Sequence, residues 1–146
     1  MRTDPLKWAA LTGERLNALV AEHVMGLKLA HARVAWTPAD WATSDTPTER
    51  NVLAIVTDAW QPGSDFPPAL VIPNYCGDWN RIRDIAEKLR AECFELRTNM
   101  CLGGYGATFR ADWETGAITP IRATHYDDDL AVAVCRAALD VKGYTP

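Results

Sequence analysis

Leu16, Leu19, Val20, Val24 and Leu27 recur at the spacing of one helix face. They predict a helix from Gly13 to about Leu27, capped by Thr12 and stopped at Gly26, where a left-handed backbone costs little. A short lead-in from Asp4 to Ala10 precedes it, with Asp4-Pro5 as cap and first helical position. Ile82, Ile85, Ala86 and Leu89 form a second stripe, begun by Trp79, and predict a helix from Gly77 to about Glu92. The period then changes. Cys93 to Leu102, Tyr105 to Trp113 and Ala117 to Ala123 read as three strands, joined at Gly103-Gly104 and Glu114-Thr115-Gly116. Short glycine-containing connections of this kind join antiparallel neighbours. Asp127-Asp128-Asp129 opens a last helix, where carboxylates suit the free N–H groups. Its stripe is Leu130, Val134, Ala138 and Val141, and Lys142-Gly143 closes it.

Residues 30–72 follow no such rule and form a variable region. Thr37-Pro38-Ala39-Asp40 and Thr46-Pro47-Thr48-Glu49 both have the form of helix starts, with Thr at the cap and Pro at the first position. Val52, Ile55, Val56, Ala59 and Trp60 lie at helical spacing, while Val52 to Thr57 is also rich in β-branched residues. Helix is the favoured reading there, and strand the alternative. Gln61 to Pro68 is a loop by composition, and Ala69-Leu70-Val71-Ile72 is a short apolar segment stopped by Pro73.

Helix, variable region, helix, three-stranded meander and helix make an α+β domain. An antiparallel sheet of three or more strands carries the packed helices. The 146 residues suit a single domain. Hydrophobic residues are 48% and charged residues 23%, an ordinary globular balance. No apolar run reaches bilayer length, and Met1-Arg2-Thr3-Asp4-Pro5 is not a secretory leader, so a cytoplasmic protein with no membrane partner is expected. The net charge of −4 argues against a duplex nucleic acid partner. Arg81, Arg83, Lys88 and Arg90 are interleaved with Asp84, Glu87 and Glu92, as on a solvated helix face. Cys76, Cys93, Cys101 and Cys135 form no C-x-x-C pair. Free, buried thiols are expected, and neither a metal site nor a cofactor.

Four segments carry a resemblance. They are Leu19-Val20-Ala21-Glu22-His23-Val24-Met25-Gly26, Pro73-Asn74-Tyr75-Cys76-Gly77-Asp78-Trp79, Glu87-Lys88-Leu89, and Ala133-Val134-Cys135-Arg136-Ala137-Ala138-Leu139. Together they resemble the phage ABA sandwich domain family, with its VMG-ended first helix, its P-x-Y-x-x-D opening of the second and its A-I-C-R-A-A-L last helix. The likeness covers about Leu11 to Leu27 and Pro73 to Leu139. Cys76 and Gly77 stand where the family has Ser and Thr, and Leu27 where a tryptophan is common. The resemblance implies an α/β/α sandwich, a bacteriophage origin and a location in the cytoplasm of the infected bacterial host. It brings no catalytic signature.

No G-x-S-x-G, P-loop or H-E-x-x-H motif occurs. Gly103-Gly104-Tyr105-Gly106 precedes a strand, so it reads as a hairpin turn and not as a phosphate cradle. The Asp127-Asp128-Asp129 run reads as capping before metal binding, and His23 as a partly buried helix residue. His125 and Asp127 share one side of a strand and form a candidate acid–base pair. Six tryptophans are many for this length, and Trp36, Trp41, Trp60 and Tyr75 lie in or beside the polar variable region. Aromatics on loops suit stacking on a base, and arginines suit phosphate; otherwise the tryptophans cover the ends of a small core. The candidate ligand-binding set is Trp36, Trp60, Tyr75, Arg81, Tyr105, Arg110, Arg122 and His125. Three functions stay open. The first is a non-enzymatic counter-defence sponge that holds a host immune nucleotide, as a homo-oligomer with ligand at the subunit seam. The second is a module that blocks a host protein or serves phage replication. The third is a nucleotide-cleaving enzyme using His125 and Asp127.

Overall fold

Nine regular elements follow one another along the computed structural model, which describes residues 4–34, 50–64, 67–111 and 122–146. Helix α1 is Pro5–Ala9, and α2 is Gly13–Leu19, continued by one π-helical turn over Val20–Val24. Strands β1 (Leu29–Val34) and β2 (Arg50–Ile55) come next, then α3 (Asn80–Ala91). Strands β3 (Phe94–Cys101), β4 (Gly104–Ala111) and β5 (Arg122–Asp127) lead to the final helix α4 (Leu130–Val141).

Asp4 caps α1 by accepting the Leu6 N–H at 2.9 Å, with Pro5 in the first position as expected. Thr12 stands at the N-cap of α2 without a side-chain bond. The helix ends at Val24, earlier than Leu27, because Gly26 takes φ +71° and the chain turns back. The Leu27 N–H then donates to the Ala21 carbonyl at 2.9 Å, closing the helix end. Helix α3 starts at Asn80 and not at Gly77. Residues Asn74 to Asp78 are spent on a turn, and Asp78 Oδ1 accepts the Asn80 N–H at 2.9 Å.

Strands β3, β4 and β5 form an antiparallel sheet in that order, from Phe94↔Ala111 to Cys101↔Gly104 and from Tyr105↔Asp127 to Arg110↔Arg122. The third strand runs on through Asp127, past the expected end at Ala123, so α4 opens at Asp129 and not at Asp127. Ala117 to Ile121, the Glu114-Thr115-Gly116 turn and both Thr-Pro helix starts lie outside the described residues.

Residues Val52 to Trp60 are not a helix. Val52 to Ile55 enter β2, which pairs antiparallel with β1 from Leu29↔Ile55 to Val34↔Arg50, and Leu70 adds a bridge to Ile55. Every position from Val52 to Val56 is apolar, so the period decided nothing, and pairing with β1 selects the strand. Ala32, Val34, Ala54 and Val56 bury one face as a small separate core.

The main core lies between the three-stranded sheet and α2, α3 and α4. Helix α4 packs on β4 and β5, and α3 packs on β3. Ala131, Ala133, Val134, Cys135, Ala137, Ala138, Leu139 and Val141 are all buried, so α4 is enclosed on every side and not along one stripe. Its alanines let neighbouring backbones approach. Leu16, Ile85, Leu89, Phe109 and Leu139 are fully buried, and each such side chain contributes roughly 1.5–3 kcal/mol of transfer free energy. These elements make an α+β fold with helices packed on an antiparallel sheet.

Candidate functional site

Side chains alternate across a sheet, and the register sorts them into two faces. The rows Leu96–Phe109–Ala123 and Thr98–Ala107–His125 point toward the helices. The rows Glu95–Arg110–Arg122, Arg97–Thr108–Thr124 and Asn99–Gly106–Tyr126 lie on the other face. There Arg97, Asn99, Arg122, Thr124 and Tyr126 are exposed.

This open face has a charge pattern unlike the acidic chain as a whole. Arg110 and Arg122 stand directly opposite one another, an arrangement that costs energy when like charges are left uncompensated. Glu95 reaches Arg110 at 3.5 Å and Arg97 at 3.4 Å. Two guanidinium groups therefore share one carboxylate, and the third, Arg122, has no ion pair among the described residues. The Thr108 and Thr124 hydroxyls lie 2.9 Å apart beside them. At Gly106, a Cβ would meet the Asn99 amide oxygen at 2.2 Å and the Tyr126 ring at 2.7 Å. The missing side chain thus lets Tyr126 and Asn99 lie over the strand. The Tyr126 ring rests on backbone and remains 62% exposed. A shallow depression of about 460 Å³ lies among Arg97, Asn99, Thr108, Arg122, Thr124 and Tyr126. Guanidinium groups beside hydroxyls, an amide and an aromatic face can hold phosphate and a flat ring together.

A second hollow, about 710 Å³, opens on the helix side between α1, β5 and α4. His125 Nε2 lies 2.8 Å from Asp140 Oδ2, and its ring meets Trp8 edge to face with centroids 4.5 Å apart. The expected pairing of His125 with Asp127 does not form. Asp127 shares the side of the strand but is held by Arg136 at 3.0 Å and accepts the Asp129 N–H at 2.9 Å.

The sequence-derived residues are dispersed. Arg110 and Arg122 come together on the open face, and His125 lies on the opposite one. Tyr105 also faces the helices, 5.4 Å from Trp79 edge to face. Tyr75 is 3% exposed in the main core, where burial pushes its hydroxyl pKa up. Trp60 packs against the small core of β1 and β2, covering its end. Arg81 is engaged on α3 with Asp84 at 3.2 Å and Asp78 at 4.0 Å. Trp36 lies outside the described residues. Arg97, Asn99, Thr108, Thr124 and Tyr126 are absent from the sequence-derived set. Their signal was the polar alternation Glu95, Arg97, Asn99, which becomes a face only once the register is known.

All four cysteines are free. Cys76 and Cys135 are buried, whereas Cys93 and Cys101 are exposed, contrary to the expectation of four buried thiols. Among the described residues no three His, Cys, Asp or Glu side chains stand together as metal ligands, and no helix is long and apolar enough to cross a membrane.

An α+β domain with one helix-covered and one open sheet face is thus the class of protein defined. Its fold is similar to that of a solved protein, the 2.0 Å crystal structure of a phage protein from Bacillus cereus ATCC 14579. The TM-score is 0.58 at 14% identity, covering 100% of this chain and 96% of that one. No family model matches the chain, and no curated protein matches it in sequence.

Proposed function

We propose that this chain is a bacteriophage accessory protein of the ABA sandwich kind. It binds an anionic nucleotide on the open face of the β3–β4–β5 sheet and withholds it without converting it. The observation that carries this reading is the sharing of one carboxylate, Glu95, by Arg97 and Arg110, with Arg122 alongside making no ion pair among the described residues, next to the exposed Tyr126 ring. Phosphate would neutralise the excess guanidinium charge, and a base would stack on Tyr126. The fold likeness to a phage protein supports the origin. A counter-defence role in the cytoplasm of the infected host follows from that context: a host immune signal such as a cyclic dinucleotide or an ADP-ribose derivative has the required chemistry.

The test is retention and fate. Purified protein is mixed with a panel of cyclic oligonucleotides and ADP-ribose derivatives, filtered and heated, and the released material is read by chromatography. An intact nucleotide freed on denaturation is the expected result. Arg97→Ala with Arg122→Ala should weaken binding roughly ten- to a hundredfold, the worth of charge-assisted hydrogen bonds. A converted nucleotide would transfer the reading to an enzyme, for which His125 and Asp140 are the pair to mutate. No retention from the panel, or binding indifferent to both arginines, rejects the proposed site.

A second reading, a protein-docking module, is favoured by the apolar hairpin tip. Met100 is 80% exposed and Leu102 fully exposed, with half-exposed Trp79 at the N-cap of α3. It predicts a stable complex with a host protein in pull-downs from infected cells.

A further inference from the structure

Strand β3 is an edge. It pairs with β4 on one side and with no strand among the described residues on the other. It is eight residues long, and Arg97 to Cys101 are exposed. A long exposed edge is a template for another strand. The hairpin closes on Cys101↔Gly104, so residues 99, 97 and 95 bond toward β4. The N–H and C=O groups of Leu96, Thr98 and Met100 are left directed at the free side.

We propose that β3 is the seam of a symmetric homodimer. Two copies pair antiparallel about a twofold axis at Thr98, joining two three-stranded sheets into one. This register sets Thr98 opposite the partner's Thr98, Leu96 opposite the partner's Met100, and Arg97 opposite the partner's Asn99. Each pair is complementary: hydroxyl with hydroxyl, apolar with apolar, guanidinium with amide. Met100, 80% exposed in the single chain, gains an apolar neighbour. The neighbouring registers are worse. An axis at Arg97 sets two like charges face to face. An axis at Leu96 shortens the pairing, leaves Met100 bare and falls where β3 packs into the main core under the helices. At Thr98 and Met100 the helix side is uncovered, which leaves room for a second copy.

The seam rests on strand geometry alone. Its consequence rests on the nucleotide reading above: the two open faces become continuous, and the partner's Asn99 and Arg97 extend the site across the axis. A ligand with two phosphates would then span both copies.

Sedimentation equilibrium of the full chain should give twice the 16.1 kDa chain mass. Thr98→Pro removes an N–H that faces the free side, which an edge strand tolerates. It should raise the dimer dissociation constant at least tenfold with an unchanged circular dichroism spectrum. In a chain carrying Cys93→Ser and Cys101→Ser, Thr98→Cys should cross-link copies under mild oxidation, whereas Leu96→Cys should not. A monomeric wild type, a folded Thr98→Pro dimer of unchanged affinity, or Thr98→Cys chains that fail to cross-link overturns the seam. If Thr98→Pro does not fold, the cross-linking pair decides. Nucleotide retention is measured separately on each sample, so a dimer that holds no nucleotide rejects the ligand reading and leaves the seam standing.

Discussion

Arg136 lies inside the domain, 6% exposed, in a run of alanines that reads as helix packing. Its charge is matched from three directions. Nη1 donates to Asp127 at 3.0 Å, Nη2 to the Leu11 carbonyl at 3.0 Å and the Ala9 carbonyl at 3.3 Å, and Nε also to Leu11 at 3.3 Å. The two carbonyls belong to the joint between α1 and α2, so one side chain ties the N-terminus to α4. Arg136→Met leaves Asp127 and the carbonyls without their donor, and should cost about 3–5 kcal/mol in urea unfolding. Burial also acts on the thiols. It pushes the pKa of Cys76 and, much further, of Cys135 above the usual thiol value of 9.0, and that of Tyr75 above 10.0. The neutral forms are therefore favoured by folding. Their contribution is fully present below the unfolded-state values and is lost as pH rises past about 9, when the unfolded chain releases protons that the folded chain keeps. The denaturation midpoint should accordingly fall between pH 8 and pH 11, and fall less in Cys135→Ala relative to its own value at pH 8.

At the scale of elements, the opening of α4 shows local chemistry fixing a boundary. Asp129 Oδ1 accepts the Ala131 N–H at 2.9 Å and also the Trp79 indole N–H at 3.0 Å. The acidic run was legible in the sequence as capping, and the structure narrows that role to one residue and adds a tie to α3. Asp129→Ala should destabilise the fold by about 1 kcal/mol, the usual worth of a cap, read from the thermal midpoint. Strand β2 is the opposite case. Its unbroken apolar run fits two periods, and only the partner β1 distinguishes them. The candidate site fails to show in the sequence for a related reason. Arg97, Arg110 and Arg122 lie on three strands, and nothing in their spacing declares which positions will align. The sequence marks Arg110 and Arg122 as phosphate ligands without giving them a shared surface, and it does not mark Arg97 or Tyr126.

For the whole molecule, the acidic balance of −4 conceals a local reversal on the open sheet face. A formal charge describes the long-range field, but a ligand meets the local one, which at a few ångströms is set by neighbouring groups. The second hollow, with His125 against Asp140 and Trp8, opens on the helix side of β5. The two hollows differ in chemistry and meet around β5, where Thr124 and Tyr126 line both.

The sequence by itself determined the helix at Gly13, the existence though not the start of the helix that follows Pro73, the three-stranded meander, the stop at Gly26 and the α+β class. Each of these is written in short-range terms: a period, a cap, a glycine that admits positive φ. Tertiary structure decided the rest. It made Val52 to Ile55 a strand by supplying a partner, enclosed α4 by surrounding it, buried Tyr75 in the main core and packed half-buried Trp60 against the small one. It also gathered arginines from three strands onto one face, because register and side-chain alternation exist only between strands, not within them.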